Sequence, residues 1–170
     1  MAGNTVTFKG NPLSLEGNTL QAGEKAPDFT LQSRSLADIN LATYAGKTLI
    51  LSVVPSLDTS VCALQTKKFN EKAAQLPDSV AVLTVSTDLP FAQGRFCGAE
   101  GIDKLETASD HRDTNFGKAY GVLIAEGALA RILTRAIFVV NPEGVLSHVE
   151  YVSEVTHEPD YEAALNAINA

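Results

Sequence analysis

Cysteine is scarce in this 170-residue chain: only Cys62 and Cys97 are present. They are too far apart for a Cys-x-x-Cys pair, which disfavours a general dithiol oxidoreductase. Histidine is no richer. His111, His148 and His157 stand alone, and no His-x-x-x-His or His/Cys pairing has the spacing of metal ligands. Basic residues are outnumbered, 13 Lys and Arg against 20 Asp and Glu, for a net charge of −7. They never cluster beyond Lys67-Lys68. Nucleic acid and anionic membrane both require a basic surface, so neither is expected as a partner. No apolar run approaches a membrane span. The segment Met1 to Lys9 lacks the basic start and apolar block of a secretory signal. A cytoplasmic protein is therefore expected, in a compartment where two cysteines are more often free thiols or a transient catalytic pair than a structural staple. The glycines are too scattered for a nucleotide fingerprint. His111-Arg112-Asp113 matches part of a kinase catalytic loop, but no glycine-rich phosphate loop accompanies it.

What remains is an ordinary globular composition, 45% hydrophobic and 19% charged, enough to build a sizeable core. Without repeats, low-complexity tracts or a dividing linker, one domain is expected over residues 1–170. Alternation in Thr5 to Lys9, a turn at Gly10-Asn11-Pro12 and Leu13-Ser14-Leu15 predict an N-terminal β-hairpin. Short strands are predicted at Asp28 to Leu31 and Ile39 to Leu41. The nearly continuous apolar runs Thr48 to Val54, Val80 to Ser86 and Ala136 to Val140 read as central strands buried on both faces. Asn141-Pro142-Glu143-Gly144 then turns the chain into a strand over Val145 to Val152. Helical spacing of Phe69, Ala73 and Leu76 predicts a helix ending at Pro77-Asp78. Shorter helices are predicted from Phe91 to Cys97, stopped by Gly98, and from Asn115 to Tyr120, stopped by Gly121. A last helix starts with Pro159 at its first position. Phe91, Phe96 and Phe116 read as core more than as ligand stackers, although Phe91 could line a substrate pocket. The order implies an α/β fold: a central mixed β-sheet flanked by helices.

Pro55-Ser56-Leu57-Asp58-Thr59-Ser60-Val61-Cys62 carries the chemistry. It follows a buried strand and leads into a helix, so Cys62 falls in the first helical turn. There the helix dipole and the free backbone N–H groups favour thiolate, the nucleophilic form of cysteine. The stretch matches Pro-x-x-x-Thr-x-x-Cys and resembles the active-site loop of the peroxiredoxins, most closely that of the bacterial thiol peroxidases, an atypical two-cysteine group. Phe91 to Gly101, around Cys97, resembles that group's resolving-cysteine segment. Pro159 to Leu165 resembles its C-terminal helix, and the N-terminal hairpin is typical of it.

The resemblance implies a thioredoxin-like fold and a peroxidase that needs no metal, haem, flavin or nucleotide cofactor. It also implies hydroperoxide substrates, alkyl hydroperoxides among them, thioredoxin as reductant, and a homodimer. Cys62 would attack the peroxide and Cys97 would resolve the sulfenic acid as an intrachain disulfide. The Thr59 hydroxyl, three residues before Cys62, is expected to reach the sulfur or the peroxide across the first turn. Pro55 has no N–H to compete, and its ring can shield the sulfur from water. The family's active-site arginine stands at the start of a strand. Arg135 fits that place because an unbroken apolar run follows it; Arg131, four residues earlier, is the rival. Gly94, Gly98 and Gly101 make the Cys97 segment cheap to unwind, which disulfide formation is expected to require. Two other readings are open: a one-cysteine peroxidase in which Cys97 only packs, and a non-catalytic redox sensor.

Overall fold

A computed structural model of the protein describes residues 4–169. Its strands are β1 (Thr5–Phe8), β2 (Asn11–Glu16), β3 (Leu31–Ser33), β4 (Asp38–Ile39), β5 (Thr48–Val53), β6 (Val80–Ser86), β7 (Glu106–Ser109), β8 (Leu123–Ile124), β9 (Ala136–Val140) and β10 (Leu146–Tyr151). Its helices are α1 (Ser60–Ala73), α2 (Pro90–Glu100), α3 (Asn115–Ala119) and α4 (Tyr161–Asn166), with short 3-10 turns at Leu41–Tyr44 and Ala167–Asn169. Seven strands form a mixed sheet in the order β10-β9-β5-β6-β7-β3-β4. β5, β6 and β7 run parallel, and β9 joins β5 antiparallel. The hairpin β1-β2 pairs with β8 in a second, three-stranded sheet.

The apolar runs became the centre of the large sheet because both its faces are covered. Every residue of β5 and β9 is buried. Alternation divides their side chains between two cores. Leu49, Leu51, Val53, Ala136, Phe138 and Val140 pack with Phe116 and Tyr120 of the α3 region. Ile50, Ile137 and Val139 pack on the other face with Cys62 and Phe69 of α1, Phe96 and Cys97 of α2, and Ala164 of α4. Both cysteines therefore lie on one face of the sheet. Residue 135 shares the parity of Ile137 and Val139, so a side chain there turns toward the same face.

Several local expectations shift. The hairpin turn is Lys9-Gly10, both with positive φ (51° and 81°), and Pro12 already lies in β2. Strand β3 begins only at Leu31, because side chains satisfy the backbone ahead of it. Asn115 exchanges hydrogen bonds with both the N–H and the carbonyl of Thr30, and the Phe29 N–H donates to Asp28. Asn40 ends β4 at Ile39 by capping the 3-10 turn in a reciprocal box with Thr43. Helix α2 runs through Gly98 and stops at Gly101, whose φ of 66° supplies the left-handed cap. Asp160 caps α4 by accepting from the Ala163 N–H at 3.0 Å, so Pro159 precedes the helix instead of opening it. Strands β7 and β8 were not anticipated: they span four and two residues and lack an extended apolar run. Phe96 and Phe116 are buried as expected, but Phe91 is 70% exposed.

Candidate active site

The loop after β5 delivers Cys62 as the third residue of α1, within the turn whose N–H groups have no helical acceptor. Its side chain is fully buried. Arg135, just before β9 and 2% exposed, points its guanidinium at it. Nη2 donates to Cys62 Sγ at 3.4 Å, Nη1 to Gln65 Oε1 at 2.8 Å and Nε to the Val155 carbonyl at 3.0 Å. Gln65 is itself held, its Nε2 donating to Ser52 Oγ of β5 at 2.8 Å. One planar cation is thus fixed by three acceptors with the sulfur at its edge. Arg131 is an exposed turn residue with φ of 77°. Its N–H bonds the Ile124 carbonyl, and its side chain has no place among these contacts.

Pro55 is buried beside this group and lines a cavity of about 200 Å³ with Thr59, Val61 and Arg135. The cavity's other walls are mainly apolar, from Phe8, Leu129, Ile132 and Val155. Larger clefts of about 490 and 670 Å³ do not include Arg135 and are edged by charged residues. Thr59 differs from expectation. It holds the N-cap position of α1, yet its hydroxyl neither caps the helix nor meets the sulfur. The turn from Ser56 brings the Ser56 carbonyl under Thr59, and the hydroxyl donates there at 2.9 Å. The Thr59 N–H meets the same carbonyl at 3.1 Å.

Both cysteines are free thiols. Cys97 lies in α2 and is 2% exposed, packed in the same apolar cluster as Cys62. Burial pushes its thiol up, against the opposing pull of the Arg34 charge and the Thr107 hydroxyl. Pro55, Thr59 and Arg135 share one cavity; Cys62 is buried outside its lining and meets it only through Arg135, and Cys97 is a free thiol on the neighbouring helix. Sequence reasoning missed Gln65 and Ser52. Gln65 was within reach of it, since a residue three beyond Cys62 shares its helix face. The Val155 carbonyl had no local signal. Among the described residues, no group of three or more His, Cys, Asp or Glu gathers as a metal centre, and no helix is long and apolar enough to cross a membrane.

The redoxin family model matches residues 21–165. A thiol peroxidase of Halalkalibacterium halodurans is 54% identical over 166 residues, covering 98% of each chain. The thiol peroxidase of Bacillus subtilis is 52% identical over 165 residues, covering 97% of this chain and 96% of that one. Among solved structures, a peroxiredoxin-like protein from Aquifex aeolicus superposes with a TM-score of 0.92 at 42% identity, covering 99% of this chain and 97% of that chain. A cysteine at a helix start, faced by a forked arginine, accompanies a likeness that runs almost end to end, and the chain belongs to the thiol peroxidase family of the redoxins.

Proposed function

We propose that this thiol-dependent peroxidase uses Cys62 as its peroxidatic cysteine and Cys97 as its resolving cysteine. The observation that carries the reading is the Arg135 Nη2 donating to Cys62 Sγ at 3.4 Å, beside a largely apolar cavity. The Cys62 thiolate attacks the terminal oxygen of a hydroperoxide in line with the O–O bond. Sulfur is oxidised to sulfenic acid. The O–O electron pair leaves on the distal oxygen, which takes a proton and departs as water or alcohol. Arg135 and the first-turn N–H groups of α1 face the charge that develops on sulfur and oxygen. Rotation about its Cα–Cβ bond moves the Thr59 hydroxyl from the Ser56 carbonyl into the cavity that Thr59 lines. Pro55 closes the wall beside the sulfur without a competing N–H. The apolar walls favour an organic hydroperoxide while leaving room for hydrogen peroxide.

The Cys97 thiol then attacks the sulfenic sulfur. The hydroxyl leaves with the thiol proton as water, and an intrachain disulfide forms. Both cysteines are buried free thiols on separate helices, and in this reading α2 and the first turn of α1 open for this step. Thioredoxin supplies the two electrons that restore the dithiol. We place the enzyme in the cytoplasm as a homodimer, with residues 1–170 forming one peroxidase domain.

The test is consumption of hydrogen peroxide and cumene hydroperoxide with thioredoxin, its reductase and NADPH. Wild type should turn over continuously, Cys62→Ser should not react, and Cys97→Ser should stop after one turnover. A single oxidation of wild type without recycling would point to a sensor or to another reductant. Light scattering reads the dimer directly.

A further inference from the structure

Asp88 stands between β6 and α2, beside the N-terminus of α2 but not engaged with it: Leu89 holds the cap position without a side-chain cap bond. The carboxylate turns instead toward the loop that ends in Cys62. Oδ1 accepts from Ser56 Oγ at 2.7 Å, and Oδ2 accepts from the Leu57 N–H at 2.8 Å. Oδ2 also accepts from Ser86 Oγ at 2.7 Å. The Ser86 oxygen in turn accepts from Gln93 Nε2 at 3.1 Å. Gln93 is fully buried in α2, one turn before Cys97, and the same nitrogen donates to the Ala108 carbonyl of β7 at 2.9 Å. A continuous hydrogen-bonded chain therefore joins the Cys62 loop to the Cys97 helix through Asp88. The exposed Arg95–Asp58 pair, 3.2 Å apart, also spans the two segments but is open to solvent and contributes little.

We propose that Asp88 is a positioning residue: it holds the two cysteine-bearing segments docked in the dithiol state. It thereby sets the competition between resolution of the Cys62 sulfenic acid and its further oxidation. The proposal rests on the two-cysteine reading above. A docked loop presents Cys62 to peroxide but delays Cys97, and a released loop does the reverse. When resolution is delayed, a second hydroperoxide transfers an oxygen to the sulfenate. The sulfur becomes sulfinic acid, and the second peroxide leaves as water or alcohol.

The experiment compares wild type, Asp88→Ala, Asp88→Asn and Gln93→Leu. Each reduced protein is mixed with a series of cumene hydroperoxide concentrations, and mass spectrometry measures disulfide against sulfinic acid. Circular dichroism verifies that each variant is folded under the assay conditions, so the ratio reports the folded protein. In Asp88→Ala the peroxide concentration giving equal amounts should rise about tenfold. The rate constant for Cys62 oxidation should fall about tenfold or more, because the loop is no longer placed. Asparagine keeps an oxygen for the Leu57 N–H and an amide that donates to Ser56, so Asp88→Asn should return both values to within about threefold of wild type. Gln93→Leu cuts only the helix end of the chain. It should move the ratio in the same direction with Cys62 oxidation within about twofold. A wild-type ratio in Asp88→Ala, whatever its melting temperature, overturns the proposal. Should that variant not fold, Ser56→Ala and Gln93→Leu test the two ends, and wild-type ratios in both overturn it. Wild type that forms no disulfide at all overturns the two-cysteine reading itself.

Discussion

Replacing Gly94 and Gly98 together by alanine should strengthen α2 and slow disulfide formation. Neither glycine has the positive φ that would exclude a side chain. A Cβ at Gly98 meets nothing within 4 Å, and at Gly94 it meets only Arg34 Cδ at 3.8 Å. Alanine therefore fits both sites, whereas Gly101, with φ of 66°, must be left alone. Each change should stabilise the helix by about 1 kcal/mol, chiefly through the lost freedom of the unwound chain. Together they shift the wound–unwound equilibrium of α2 about 30-fold. If Cys97 reaches Cys62 only from unwound helix, the rate of disulfide formation falls by up to about 30-fold, and Cys62 sulfinic acid accumulates at correspondingly lower peroxide. The Cys62 oxidation rate should not change. Quenched-flow sampling with mass spectrometry follows each species, and calorimetry verifies that the melting temperature rises. A higher melting temperature with a wild-type rate of disulfide formation would refute unwinding of α2 on the path. An unchanged melting temperature would refute the helix-propensity reasoning.

Arg135→Lys tests the fork. Arginine spreads donors to Val155 O, Gln65 Oε1 and Cys62 Sγ from one plane, and an ammonium cannot reach all three. We expect kcat/KM for hydroperoxide to fall about 100-fold or more, and stability to fall by about 1–3 kcal/mol for the buried acceptor left unpaired. A loss under about threefold in stopped-flow assays would contradict a role for that geometry. Asp110 makes the opposite kind of prediction. It is 2% exposed and accepts from the Phe116 and Gly117 N–H groups at 3.1 and 2.8 Å, yet burial, opposed by those bonds, still pushes its carboxyl up to about 6. The folded protein then binds this proton more tightly than the unfolded chain. Its contribution declines as pH rises from about 4 to about 6, by on the order of 3 kcal/mol. Urea unfolding across that window should show this slope in wild type, relative to an Asp110→Asn variant in which it is absent.

The central strands were legible because burial on both faces leaves little but apolar residues, and β5 and β9 carry that record in full. The Cys62 loop was legible because its chemistry is local: a proline, a threonine and a cysteine at fixed offsets on one turn. Arg135 was found through the strand it precedes, and its parity with Ile137 and Val139 explains why the side chain arrives on the cysteine face. Gln65, Ser52 and Asp88 were not found. Each acts through a contact between elements distant in sequence, and no single segment shows both halves of such a bond. The Thr59 hydroxyl, expected to reach the sulfur or the peroxide, bonds the Ser56 carbonyl instead, because that partner depends on the turn at Ser56. The strand predicted at Asp28 to Leu31 failed for a related reason: side chains from Asp28 and Asn115 took over backbone groups that a ladder would have paired.

These long-range contacts matter because neither cysteine segment is secured by its own helix. Thr59 at the N-cap of α1 and Leu89 at the N-cap of α2 make no side-chain cap bond, and α2 carries two glycines in its interior. What holds them is external: Arg135 on one side of Cys62, and the Asp88 chain between the loop and α2. A peroxidase that must first bury its sulfur and then release it needs local stability low enough to open yet high enough to place the thiolate. Strengthening α2 and cutting the Asp88 chain therefore act on one quantity with opposite signs. The alanine pair should favour sulfinic acid, and the Asp88→Ala change should favour the disulfide. A chain carrying both sets should return toward the wild-type ratio, while its Cys62 oxidation stays as slow as in Asp88→Ala, because alanine in α2 cannot put the Cys62 loop back.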